Sequence, residues 1–199
     1  MNIYYRIAAA AVFLLFSMTS MCFAEAGEWK IDKAHSNIYF EISHTYAKVR
    51  GKFGDFSGNV VFKPENPSAS SVELKVRAAS INTHITKRDN HLRSEEFFDV
   101  EQYPYLTFSS TDIRHDKGDR YIVEGKLTIR DVTRNITVPF TYMGMRDNPL
   151  EKNQKVAGFE ADFTINRLDY NVGTGKFAEM GVVGEKTHIL ITLELLKDL

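Results

Sequence analysis

Cysteine is almost absent from this sequence. The one cysteine among the 199 residues is Cys22, close to the amino terminus. A lipoprotein signal has Gly or Ala directly before its cysteine and Leu three residues before it, but Met21 and Thr19 occupy those positions here. We therefore expect no lipid anchor. The rest of the chain has no thiol, which excludes disulfides, thiolate metal sites and cysteine nucleophiles from it.

The amino-terminal apolar run is too short to cross a membrane. It extends over residues 7–18, whereas a transmembrane helix needs about 20 apolar residues. Arg6 precedes the run, and Ala24 and Ala26 follow it in an A-x-A arrangement, which together are typical of a cleavable secretory signal. We expect cleavage after Ala24, with Ala26 as the second choice. The mature protein, residues 25–199, is then predicted to be soluble in the periplasm, without an integral membrane anchor.

An excess of charge of one sign is also lacking. Loss of the signal removes one of the 25 Lys and Arg residues and none of the 26 Asp and Glu residues, leaving a net charge of −2. Both signs are interspersed, which argues against a nucleic acid or an anionic membrane surface as partner. The remaining 175 residues suffice for one domain with a sizeable core. Homodimer formation remains open.

Helical periodicity is nearly absent, and strict alternation of apolar and polar residues recurs instead. This pattern predicts about nine strands that each have one apolar face. Pro139 interrupts one of them and predicts a sheet edge or a bulge there. Closing such strands into a barrel removes the exposed edges of an open sheet, so we predict an all-β antiparallel barrel rather than a sandwich.

Residues 83–104 do not show the alternation and are rich in charged residues. We predict one or two short helices in this region. Ser94, followed by Glu95 and Glu96, fits the start of a helix with acidic residues in its first turn. The adjacent Phe97 and Phe98 would then close one end of the barrel.

Five segments, in order and well spaced, make the chain resemble the YceI-like family of polyisoprenoid-binding, lipocalin-like proteins. They are WKIDKAHSNIYFEISH at residues 29–44, GKFGDFSG at 51–58, THITKRDNHLRSEEFFDVEQYPYLTFSS at 83–110, GKLTIRDVTR at 125–134 and INRLDYNVG at 165–173. One departure is Tyr170, where Phe is more usual. The resemblance covers the whole mature chain and implies a lipocalin-like barrel of about eight strands around a tunnel. In the family that tunnel holds an isoprenoid chain, a quinone tail or a related amphiphile, and several relatives are linked to envelope stress.

The inward residues of the alternating segments, together with the paired phenylalanines, form the predicted tunnel lining. Ala78, Ala161 and Gly125 would supply room among the larger side chains. In the alternative interpretation the same residues fill a solid core. The predicted lining comprises Ile38, Phe40, Ile42, Leu74, Val76, Phe97, Phe98, Phe108, Leu127, Ile129, Phe140, Tyr142, Phe159, Ala161, Phe163 and Ile165.

Four polar residues are candidates for contact with a lipid head group: Arg88, Asp89, His91 and Arg167. Arg167 has the same parity as Phe163 and Ile165 and should therefore point inward. A buried guanidinium needs a partner. We expect either an ion pair with one of the acids of the irregular region, which are Asp89, Glu95 and Asp99, or contact with a phosphate or carbonyl head group.

The histidines and acids show no pattern of a metal or catalytic site. His84 and His91 flank Asp89, and His35 and His44 lie further away, but neither HExxH nor GxSxG is present. We therefore predict no metal, no cofactor and no catalysis, and expect a periplasmic protein that sequesters or carries a polyisoprenoid or quinone-like lipid. The alternatives are a lipid hydrolase or isomerase that uses Asp89 and His91, and a structural envelope protein.

Overall fold

A computed structural model of the chain describes residues 28–199. The predicted signal and its cleavage site lie outside these residues. The described part contains eleven strands and two short α-helices. The strands are β1 (Glu28–Ile31), β2 (Asn37–His44), β3 (Ala47–Phe53), β4 (Phe56–Val61), β5 (Ser71–Arg77), β6 (Ile81–Asn82), β7 (Tyr105–Lys117), β8 (Arg120–Ile129), β9 (Val132–Asp147), β10 (Gln154–Asn166) and β11 (Val183–Asp198), and the helices are α1 (Thr86–Arg93) and α2 (Lys176–Glu179).

The strands close into an eight-stranded antiparallel barrel, as predicted. The ring runs β1–β4–β5–β7–β8–β9–β10–β11 and returns to β1. The remaining three strands extend the ring at one end, because β2 pairs with the first part of β11, β3 with β2, and β6 with β3. β1 and β2 thus pair with the same edge of β11, β2 with its first part and β1 with its last part.

The pairing of β9 with β10 stops halfway along both strands. Their last paired residues are Phe140 and Ala161. Beyond that point, residues 132–139 pair with β8 and residues 162–166 pair with β11. Pro139 is the first residue past the end of the ladder, a position that tolerates its missing N–H. The prediction of a sheet edge at this proline agrees with that pairing.

The base end of the barrel is filled by strand side chains. Its buried residues include Trp29, Phe62, Tyr121 and Leu195. The ring centroid of Phe62 lies 5.2 Å from that of Tyr121 and 5.0 Å from that of Phe159, in edge-to-face geometry in both cases. Aromatic pairs favour such geometry because the ring edge and the ring face carry opposite partial charge. We call this aromatic cluster the base plug.

The opposite end is covered by segments between strands, namely residues 83–104 and 167–182, which we call the lid. α1 ends at Arg93 and Ser94 caps its carboxyl end, so the predicted helix start at Ser94 is wrong. The Ser94 N–H and hydroxyl both donate to the carbonyl of His91, so this serine bonds back to the preceding turn and completes the end of the helix. α1 lies in the predicted region, whereas α2 lies outside it.

Candidate functional site

An internal cavity of about 270 Å³ occupies the barrel, and almost all of its wall is apolar. The wall is built by the inward residues of the strands, with Leu92, Phe97 and Phe98 at the lid. Fifteen of the sixteen residues predicted to line a tunnel lie on this wall. The one exception is Tyr142. The cavity favours the predicted tunnel over the alternative of a solid core, while ligand binding by these residues stays a prediction.

Tyr142 lies in the base plug, below the cavity. Its ring centroid is 5.0 Å from that of Phe62 and 5.3 Å from that of Phe159. Burial raises the pKa of its phenol, with the nearby Tyr121 as a smaller cause. Alternation predicted its inward direction correctly but could not predict its height in the barrel.

The cavity wall also contains residues that the sequence interpretation missed. Phe62 has the parity of Phe56 and Val60, so alternation could have identified it as inward. Leu92 belongs to α1 and reaches the cavity from the lid. No strand periodicity extends to a helix between strands, so Leu92 had no comparable signal.

Of the three small residues expected to supply room, Ala161 alone lies on the wall. A Cβ added to Gly125 would lie 2.6 Å from Cζ of Phe108, so the Phe108 ring already fills that space. Ala78 is buried in a short 3₁₀ turn away from the cavity. Gly125 therefore allows close packing of the Phe108 ring and does not enlarge the cavity.

Arg167 lies on the cavity wall at the lid end and is 5% exposed. Its Nε donates to the carbonyl of Gly184 at 2.8 Å, and its Nη1 donates to that of Val172 at 2.7 Å. Nη2 makes a longer bond of 3.4 Å to the carbonyl of Val183. The expected pairing with Asp89, Glu95 or Asp99 is therefore wrong. The ladder between β11 and β2 is irregular from Val183 to Thr187, and main-chain carbonyls of that irregular stretch reach the guanidinium first.

The acids expected as partners of Arg167 are placed elsewhere. Asp89 accepts hydrogen bonds from the N–H and the hydroxyl of Thr83. Asp99 lies 3.8 Å from Nη2 of Arg130. Glu95 borders a separate cleft on the outside of the lid. Asp89 thus ties the start of the lid to α1, and Asp99 ties the lid to the turn between β8 and β9.

The other three head-group candidates are not among the residues of the cavity wall. Arg88 donates through Nε to the hydroxyl of Thr83 and through Nη2 to its carbonyl. Asp89 is buried against the same threonine. Nε2 of His91 lies 2.6 Å from a carboxylate oxygen of Glu96, and its ring packs edge-on against Phe97. Asp89 and His91 thus have different partners and do not form an acid–base pair.

Residues 29–195 match the family model of the YceI-like domain. The chain belongs to the YceI-like family. Protein YceI of Salmonella newport is 36% identical over 186 residues, which cover 90% of this chain and 94% of that protein.

Solved structures agree with this assignment. Burkholderia cenocepacia BcnA superposes with a TM-score of 0.74 at 27% identity, covering 82% of this chain and 98% of that one. The Campylobacter jejuni YceI protein gives 0.66 at 26% identity, covering 82% and 94%. A polyisoprenoid-binding domain from Saccharophagus degradans gives 0.62 at 18% identity, covering 86% and 98%, and at that identity the likeness shows the fold.

Outside the cavity, this YceI-like chain has an exposed ion cluster. It lies at the point along β11 where the pairing partner changes from β2 to β1. Nδ1 of His35 lies 2.7 Å from Oδ2 of Asp32 and 3.8 Å from Oε1 of Glu194. The hydrogen bond with Asp32 raises the pKa of His35, and the same bond lowers the pKa of Asp32. The cluster fixes the turn between β1 and β2.

Within residues 28–199, no helix is long and apolar enough to span a bilayer.

Proposed function

We propose that the barrel binds the tail of a long-chain amphiphilic lipid, a polyisoprenoid or quinone-like molecule, and that the protein is a periplasmic carrier or store for it. The apolar cavity is the observation that carries this proposal. A lipid tail inside the cavity would contact Phe, Ile, Leu and Val side chains along the barrel. Apart from Arg167 at the lid end, the wall offers a polar substrate few partners.

The size of the cavity supports an apolar occupant. An engineered apolar cavity of about 150 Å³ stays free of water and binds benzene or xenon. The cavity here measures about 270 Å³. At roughly 24 cal/mol per Å³, leaving 270 Å³ unfilled costs about 6 kcal/mol compared with a packed interior. A lipid tail would recover part of that free energy.

A carrier must also release its lipid. A tail of forty carbons gains roughly 30 kcal/mol on leaving water, at about 0.8 kcal/mol per CH₂ group, whereas observed affinities stop near 18 to 21 kcal/mol. In a cell the tail starts in a membrane, where it is already out of water. Transfer from the bilayer to the barrel is then close to balanced, which suits exchange in both directions.

Two further observations support binding without catalysis. The relatives include a domain described as polyisoprenoid-binding, which shares this fold. The acid and base that an enzyme would need, Asp89 and His91, bond to different partners and do not line the cavity. We infer a binding protein with a role in the envelope stress response of the cell.

Lipid extraction of gently purified mature protein, followed by mass spectrometry, tests the proposal. We expect about one isoprenoid or quinone-like molecule per barrel. Glu73→Gln, which alters an exposed side chain on the outer face of β5, is the control and should carry the same lipid. Recovery of bare protein that also fails to take up added lipid would contradict the proposal.

The periplasmic part of the proposal has its own test. Amino-terminal sequencing of the exported protein should find Glu25 as the first residue. Retention of Met1, or an acylated Cys22, would contradict it.

A further inference from the structure

We propose that Arg167 is the head-group subsite of the cavity and that it selects anionic amphiphiles, carrying a phosphate or carboxylate, over neutral ones. This inference rests on the proposed lipid binding and adds the chemical class of the head group. It depends on the burial of Arg167, on its partners and on its position in the wall.

The charge of Arg167 has no counter-charge at contact distance. Among residues 28–199, no carboxylate oxygen lies within 4.0 Å of the guanidinium, and its hydrogen-bond acceptors are neutral carbonyls. Buried cations are normally paired, because removing them from water is costly. The exposed Glu185 acts on it only at longer range, and burial lowers the pKa of Arg167. An anion brought by a ligand would supply the missing charge.

The guanidinium is held in place before any ligand arrives. Carbonyls on two sides, from Val172 in the lid and from Val183 and Gly184 at the start of β11, fix it. A guanidinium has five N–H donors. These bonds use three of them, which leaves two for a phosphate or carboxylate. A fixed planar donor group suits bidentate recognition of such anions and loses little entropy on binding.

The subsite faces the cavity and not the outside of the lid. Gly173 packs so closely that a Cβ there would lie 2.6 Å from Nη1 of Arg167 and 2.8 Å from Cε1 of Phe97. On the outer side, the lid cleft is bordered by Glu95 and Glu96 as well as Arg130. Two acids make that cleft a poor place for an anion, whereas the inner side is apolar apart from Arg167.

The wall contains no other inward charge among the described residues. Glu160 borders the cavity, but it is exposed and lies between the inward residues Phe159 and Ala161 on β10. An amphiphile with its tail toward the base plug therefore places its head beside Arg167. Hydrogen bonds to a charged group are stronger than neutral ones, so we expect a preference of at least about tenfold for the anion.

Calorimetric titration of delipidated protein with farnesyl phosphate and with farnesol tests this, because the two probes share one tail. Wild type should bind farnesyl phosphate at least about tenfold more tightly. Arg167→Gln should bring the two affinities close together while leaving that for farnesol unchanged, and Arg167→Lys should keep most of the preference. Arg88→Gln is the control, since Arg88 is a lid arginine away from the cavity wall, and it should retain the wild-type preference.

The outcomes separate the two proposals. Failure of wild type to bind either probe overturns lipid binding itself. Equal binding of both probes by wild type overturns the head-group inference and leaves lipid binding standing. A parallel loss for both probes in Arg167→Gln assigns Arg167 a structural role and also overturns it. If Arg167→Gln does not fold, wild type and Arg167→Lys provide the test. A preference for farnesyl phosphate in both proteins supports the role of the cation. Absence of that preference from wild type rejects the head-group inference.

Discussion

The two ends of the barrel are closed in different ways. At the base, side chains of the strands themselves meet and exclude water, with Trp29, Phe62 and Leu195 in the centre. At the lid, segments between strands lie across the opening, and arginines fasten them. Arg93 donates to the carbonyls of Ala79 and Ile81. The lid also has a buried apolar cluster that includes Phe97 and Tyr170, but its segments belong to no strand ladder of the ring, so we expect them to open without disturbing the strands.

This difference suggests a division of labour between stability and exchange. The base plug contributes a large share of the folded state's stability, because aromatic burial dominates the energetics of cores. We expect the lid, whose segments lie outside the barrel ladders, to contribute less and to be the end that opens locally. Substitutions at the two ends should therefore separate global unfolding from local opening.

The largest effect is expected from Phe62→Ala at the base. The Phe62 ring packs against Tyr121, Tyr142 and Phe159, and deleting a buried Phe side chain typically costs about 3 to 5 kcal/mol. Urea denaturation of delipidated protein measures the free energy of unfolding. Met143→Ala, on the outer face of β9 and 67% exposed, is the control and should change it by less than about 0.5 kcal/mol. A loss under about 1 kcal/mol for Phe62→Ala would show that the plug is loosely packed.

Asp89→Asn at the lid should have an intermediate effect. The substitution removes the charge that strengthens both hydrogen bonds from Thr83, at a cost of roughly 1 to 3 kcal/mol. Hydrogen exchange should accelerate in α1 and stay unchanged in the strands around the base plug. Glu101→Gln, an exposed change in the same region, should alter neither quantity. Equal acceleration at both ends would mean that lid and base open as one unit.

Ala161→Trp in the cavity wall should leave stability nearly unchanged and abolish lipid uptake. In a filled core such overpacking costs about 1 to 3 kcal/mol, but here the indole enters empty space. Unfolding of delipidated protein and a lipid uptake assay provide the two measurements. Glu73→Gln, an exposed change on the outer face of β5, should change neither. A strongly destabilised Ala161→Trp would argue for a tightly filled interior, and full uptake by a folded Ala161→Trp would argue against the cavity as the site.

The smallest effect concerns pH and the ion cluster near the base. The pKa of His35 is raised in the folded protein, so its stabilising contribution is complete below its unfolded pKa, about 6.5, and is lost as the pH rises through the folded value. The pKa of Asp32 is lowered, so its contribution is lost only as the pH falls through that lowered value. Melting temperatures of wild type and His35→Gln should therefore differ more at about pH 6 than at about pH 9. A constant difference would exclude titration of His35 as its cause.

Alternation along the strands predicted the barrel and placed fifteen of the sixteen predicted lining residues correctly on the cavity wall, because a buried face imposes a period of two on each strand. It works for Phe159, Ala161 and Phe163, which share one face of β10. The lid was harder to predict. Ser94 has the chemistry of a helix start, yet its hydrogen bonds place it at a helix end. The partners of Arg167 are main-chain carbonyls, which every residue has, so no residue type in the sequence marks them.

The halted ladder between β9 and β10 has a consequence for the capacity of the barrel. A barrel whose neighbouring strands are all paired along their whole length has a fixed diameter, because widening it would break strand pairs. Here residues 132–139 and 162–166 face each other without such pairs, and Ile136 and Phe163 from these runs border the cavity. Moving the two runs apart breaks no strand pair between β9 and β10. Under the proposed lipid binding, we expect this seam to let the barrel accept a bulkier or more branched tail while the other strands keep their register.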